Sequence, residues 1–151
     1  MKECKYVNKI EDFLENRLDY YNVVDSKSQE VMNFARIAYF LSKYGFECIK
    51  VNSDKHGADM LAYHIEQSKT FQIQIKGRPV LKQEYKGKNL YICYIKQTEK
   101  SICFYNHDEA LALFEQSKSA NTKSWLENDK YSWPSGNTPF DSIITKCMLD
   151  D

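Results

Sequence analysis

The chain has 151 residues, 42% of them hydrophobic and 14% aromatic, which suits one domain with a real core and excludes a disordered or fibrous chain. Lys plus Arg number 21 and Asp plus Glu number 21, so the zero net charge excludes the global basic signature of a nucleic-acid-coating protein. No apolar run approaches membrane-spanning length, and no membrane partner is expected.

Residues 8–21 carry Ile10, Phe13, Leu14, Leu18 and Tyr21 at helical spacing, with Asn8-x-x-Glu11 as a start signal. This helix is expected as an extension outside the core fold or as a dimer contact. After a break, Ser26-Lys27-Ser28-Gln29 reads as a capping box. It opens a helix to about Tyr44, with Val31, Phe34, Ala35, Ala38, Tyr39, Phe40 and Leu41 inward and Gly45 as its stop. Glu30 falls in the first turn, where a carboxylate complements the helix dipole. Phe46 to Val51 alternates as a strand. Asn52 to Gly57 is a polar turn in which Asp54 and His56 read as solvated.

Gly57-Ala58-Asp59-Met60-Leu61-Ala62-Tyr63 and the run from Phe71 to Arg78 read as two strands of a hairpin. In the second, Phe71, Ile73 and Ile75 alternate with Gln72, Gln74 and Lys76, so one face is apolar and the other polar. A register that pairs Tyr63 with Thr70 places Asp59 opposite Gln74, with Lys76 just beyond. Asp59, the Gln74 amide oxygen and the backbone carbonyl of Ile75 are oxygen donors of the kind Mg²⁺ or Mn²⁺ takes. Lys76 is positioned to stabilise charge on a phosphate or to hold the attacking water.

From Lys76 to Lys100 the chain is locally basic. Lys76, Arg78, Lys82, Lys86, Lys88, Lys96 and Lys100 stand against Glu84 and Glu99. Gly77 to Lys88 holds Pro79 and Gly87 and leaves room for a helical turn at most, in Leu81 to Tyr85. Its Arg78, Lys82, Lys86 and Lys88 could track a phosphate backbone. Leu90 to Ile95 is apolar on both faces and reads as an interior strand, and Ser101 to Tyr105 completes a second hairpin. Asn106-His107-Asp108-Glu109 fits a helix cap with acidic charge in the first turn better than a catalytic cluster. In the polar stretch 117–137, Trp125, Tyr131 and Trp133 pack on the core or stack on bases. Thr138-Pro139-Phe140-Asp141 reads as the start of a last helix through Ile143, Ile144 and Met148. Cys4, Cys48, Cys93, Cys103 and Cys147 form no Cys-x-x-Cys pair, which argues against zinc. Their odd number and the lack of a leader pattern point to a reducing, cytoplasmic setting.

Asp59 followed by Gln74-Ile75-Lys76 at the end of the next strand resembles the PD-(D/E)XK nuclease superfamily, in its Gln-x-Lys variant. Gly57-Ala58-Asp59 is similar to the first half-motif of its resolvase-type and restriction-type members. The motif spans roughly residues 26 to 105, within a single domain of 1–151 with extensions at 1–21 and 117–151. The resemblance implies an α/β (α+β) fold with a restriction-endonuclease-like core, a central mixed β-sheet flanked by helices. It implies a metal-dependent endonuclease on duplex or branched DNA, plausibly a homodimer. Asp59, Gln74, Lys76 and Glu30 would be catalytic, with Mg²⁺ or Mn²⁺ held by Asp59, Gln74, Glu30 and the Ile75 carbonyl. Gln74 stands where the family pattern has an acid, and the helix usual between the third and fourth strands is missing. Two other readings use the same residues: a nuclease-like module that binds nucleic acid without cutting, and a protein-interaction domain using surface aromatics.

Overall fold

The computed structural model describes residues 10, 21–22, 24–52, 57–134 and 137–149. Most of the expected N-terminal helix, Cys4, and the turn residues Asp54 and His56 lie outside the described residues. The first long element is α1, Ser26–Ser42. Its N-cap is Asp25, one residue earlier than expected, whose carboxylate accepts from Ser28 N at 2.8 Å. That shift puts Glu30 beyond the first turn, which carries no acidic residue. The buried stripe of α1 is Ile37, Phe40 and Leu41, with Phe34 and Ala38 packed beside it. Val31 and Tyr39, expected inward, are exposed, as is Ala35. The phase follows Phe34, Ile37, Ala38 and Leu41, the i, i+3, i+4, i+7 row that meets the sheet.

The strands are β1 (Phe46–Lys50), β2 (Met60–His64), β3 (Lys69–Lys76), β4 (Val80–Lys82), β5 (Leu90–Lys96) and β6 (Ser101–Asn106). They are followed by α2 (His107–Glu115), α3 (Lys123–Asn128), β7 (Lys130–Ser132) and β8 (Thr145–Met148). A six-stranded sheet runs β1-β2-β3-β5-β6-β8, and β4 pairs with β7 in a second, two-stranded sheet. Within the large sheet, β3 and β5 are parallel and the other pairs antiparallel, so it is mixed. Strand β5 is interior, between β3 and β6, as its two apolar faces require.

Each face of the sheet carries its own core. Met60, Ala62, Ile73, Cys93, Ile95 and Ile102 meet α1 on one side. Leu81, Ile92, Tyr94, Tyr105, Phe114 and Phe140 belong to the other core, with Trp125 and Trp133. The two tryptophans set their rings edge-on to Phe114 at 4.9 and 5.6 Å, so they pack the interior and do not stack on bases. The stretch after 117 is therefore part of the core-bearing body.

Gly77 to Lys88 holds the short turn expected of it, a 3-10 turn at Gln83–Tyr85, but Val80, Leu81 and Tyr85 are buried, so the segment belongs to the core as well as the surface. The Tyr105 hydroxyl donates to Val80 O at 2.6 Å and accepts from Val80 N at 2.8 Å, which pins β4 to β6. The expected last helix is only a 3-10 turn at Asp141–Ile143, followed by β8. Asp141 Oδ1 accepts from Thr138 N and Oγ1, closing a turn, and the open edge of β6 then captures Thr145–Met148.

Candidate phosphodiester site

The hairpin register is the expected one. Tyr63 pairs with Thr70 and Met60 with Ile73. Asp59 N donates to Ile73 O at 2.9 Å, and Val51 N donates to Asp59 O at 2.9 Å, so β1, β2 and β3 are still laced together at this level. Beyond it β3 continues alone on that side, while on the other it pairs with β5 as far as Lys76 opposite Tyr94. The sheet forks here. Ile75 N, next on the open side, would lack a ladder partner; Asp59 Oδ2 accepts from it at 2.9 Å. Gly57 makes the approach possible. Its φ is +73°, and a Cβ there would stand 3.1 Å from Leu90 and 3.2 Å from Tyr85.

A cavity of about 400 Å³ opens at the fork. Glu30, Asp59, Gln74, Ile75 and Lys76 all line it, so the residues expected to act together do share one concave surface. Glu30 reaches it from α1. Asn33, Phe34, Lys50 and Val51 line it too and were not expected. Lys50 ends β1 directly opposite Met60, the residue after Asp59. Only the β1–β2 pairing brings this cation to the site, and nothing local in the sequence announces it.

Gln74 is oriented otherwise than expected. Its Nε2 donates to Asp59 Oδ2 at 2.7 Å and lies 3.5 Å from Ile75 O. The amide nitrogen thus sits between two oxygen acceptors, the Asp59 carboxylate and the Ile75 backbone carbonyl. Those acceptors and Glu30 line the same cavity with oxygen donors, the kind a hard divalent cation takes. For Gln74 to offer oxygen as well, its amide must turn over. Among the described residues, no group of three or more His, Cys, Asp or Glu is arranged to hold a metal. The carboxylates alone do not make a full cage.

The basic residues divide. Arg78 and Lys82 line a second cavity together with Lys76. Lys86 and Lys88 lie on the turn after Tyr85 and line neither cavity. Lys82 Nζ donates to Glu84 at 3.1 Å and lies 5.3 Å from the Tyr85 ring centre. Its partial burial works against the ammonium, but the Glu84 bond and charge, with Tyr85, hold its pKa above the ordinary lysine value. Lys76 Nζ lies 5.8 Å from the centre of the same ring.

Asn106-His107-Asp108-Glu109 caps α2 as expected. Asn106 Oδ1 accepts from Glu109 N at 3.1 Å. His107 is fully buried, and its Nε2 accepts from Lys82 N at 3.1 Å, so Nδ1 carries the proton, 3.3 Å from Asp108 Oδ1. Burial pushes the imidazole pKa below its ordinary value, against a smaller upward pull from Asp108. Asp108 in turn accepts from Gly87 N with both oxygens. No helix among the described residues is long and apolar enough to cross a membrane. Comparison with known proteins finds no match for this chain: no family model, no curated protein and no solved structure.

Proposed function

We propose that the chain is a metal-dependent phosphodiesterase acting on DNA, built on a restriction-endonuclease-like core with a Gln-x-Lys site. The observation that carries this reading is the fork. There Asp59, just before β2, meets Gln74, Ile75 O and Lys76 of β3 at one cavity, and Glu30 joins them from α1. In this reading Asp59, Glu30 and the Ile75 carbonyl hold Mg²⁺ or Mn²⁺, with Gln74 as a neutral fourth donor after its amide turns. The cation, when bound, neutralises phosphate charge and makes the attacking water more acidic. Lys76 stands at the end of β3, where its ammonium meets negative charge developing on the phosphate oxygens. Lys50 adds a second positive charge on the same wall. The Asp59 bond to Ile75 N fixes the carboxylate before any ligand arrives, which reduces the ordering that binding must impose.

Calorimetric titration with Mn²⁺ tests the metal half of this reading. The wild type should bind, Asp59→Asn should lose binding, and Glu30→Gln should weaken it. Equal affinity in all three would remove the metal site. A module that binds DNA without cutting is the second reading. It is favoured by the Gln74 Nε2–Asp59 bond, which occupies the carboxylate without any cation.

A further inference from the structure

The second cavity, about 390 Å³, shares Lys76 and Gly77 with the first. Arg78, Lys82 and Lys130 complete its charged lining, with Val80 and Ser132 between them and no acidic side chain. Lys130 arrives from a distant part of the chain. Asp129 ends α3 in the left-handed region at φ +57°, and its carbonyl accepts from Gln83 N at 2.9 Å. This places Lys130 on β7, directly opposite Lys82 on β4. Like charges directly opposite in an antiparallel pair are destabilising. Glu84 offsets Lys82. Among the described residues no carboxylate pairs with Lys76, Arg78 or Lys130. Three uncompensated cations around one concavity, one of them shared with the proposed reaction site, form an electrostatic trap for a polyanion.

We propose that Lys76, Arg78, Lys82 and Lys130 form a phosphate-binding subsite that holds the DNA backbone next to the scissile phosphate. Lys130 is its new member. This rests on the phosphodiesterase reading and extends it. The continuity of the two cavities through Lys76 and Gly77 makes a neighbouring phosphate of the same strand the natural occupant. A phosphate contact is sequence-independent and salt-sensitive, and each one adds about 0.9 to the slope of log affinity against log salt. Carried from 1 M to about 0.1 M salt, one lost contact is roughly an eightfold loss of affinity.

The test is fluorescence anisotropy with a short labelled DNA duplex in EDTA, so that no metal-dependent step enters. Lys130→Gln should weaken binding by roughly eightfold at about 0.1 M salt and lower the salt slope by about 0.9, whatever the sequence. Lys130→Arg should keep both, and Lys118→Gln, a lysine outside the cavity, should change neither. The melting temperature of Lys130→Gln should stay equal or rise, because a like-charge cross-strand pair is relieved. Unchanged affinity and slope in Lys130→Gln would overturn the subsite while leaving cleavage untouched. A lower melting temperature would make Lys130 structural and overturn it too. So would binding to phosphatidylserine vesicles that Lys130→Gln weakens while DNA affinity stays the same. Conversely, a wild type that never cuts yet shows the predicted slope change would sink the phosphodiesterase reading and leave the phosphate subsite in place.

Discussion

Two polar clusters in this chain look like chemistry, and they differ in how their polar groups are used. Asn106, His107, Asp108 and Glu109 are consecutive, and the described bonds are structural: Asn106 caps α2, His107 accepts from Lys82 N, and Asp108 accepts from Gly87 N. His107 is wholly buried. Asp59 before β2 and Gln74 and Lys76 on β3 are separated in sequence, meet only through the register, and line an open cavity. The consecutive polar residues at this strand-to-helix junction are taken up by backbone N–H groups, one within the turn and two on the segment that holds β4 and the turn after it. Polar residues gathered at a fork in a sheet face a gap that the backbone leaves open. Polar side chains that converge on an open cavity are therefore a better sign of a site than polar residues that are merely adjacent in sequence.

The contrast breaks most sharply under paired substitutions. Lys76→Ala should lower metal-dependent cleavage at least about 100-fold, the scale of one lost electrostatic stabiliser, with no change in melting temperature. His107→Ala should do the reverse. It leaves Lys82 N unsatisfied and opens a cavity beside Tyr85, costing about 2–4 kcal/mol in urea unfolding. Its rate per folded molecule should match wild type. If the two profiles were exchanged, the assignment of the clusters would be wrong.

Gln74→Glu sharpens the account of the fork. The change replaces the Nε2–Asp59 bond with two facing carboxylates, so the metal-free protein should melt lower than wild type. Mn²⁺ should then raise its melting temperature more than that of wild type, because an anionic donor has been added. A variant that melts alike with and without Mn²⁺ would remove Gln74 from any metal site.

The pH dependence follows from His107. Burial holds its folded pKa below that of the unfolded chain, so the unfolded state binds the proton first. The stability linked to it is complete above about pH 6.5 and is lost as pH falls through 6.5 toward the lower folded value. One proton gives a slope of at most about 1.4 kcal/mol per pH unit. Urea unfolding should show this slope in wild type and a flatter one in His107→Gln. The smallest effect belongs to Asp25→Ala, which should lower the melting temperature slightly by removing the cap of α1.

How much could be read in advance varied with locality. The hairpin register was legible because alternation on β3 and a short polar turn leave few ways to pair it, and that register carries Asp59 to Gln74. The cap at Asn106 was legible because it depends on four adjacent residues. The cap of α1 slipped by one because Asp25 and Ser26 are both good cap residues, and only the backbone selects between them. Strand β8 was missed because Thr145–Met148 becomes a strand only when β6 offers an unpaired edge. Lys50 and Lys130 were missed for the same reason: strand pairings far apart in sequence place them. The Gln74 amide orientation follows from which groups surround Asp59, and no pattern of residue types encodes that.

The most direct test of the central claim is incubation of the wild-type protein with plasmid and branched DNA in Mg²⁺, in Mn²⁺ and in excess chelator, beside Lys76→Ala. The account predicts strand cleavage with either metal, none with chelator, and at least about 100-fold slower cleavage by Lys76→Ala. Cleavage that survives chelator, or that Lys76→Ala performs at the wild-type rate, would contradict it. So would a wild type that binds the DNA and leaves every phosphodiester bond intact.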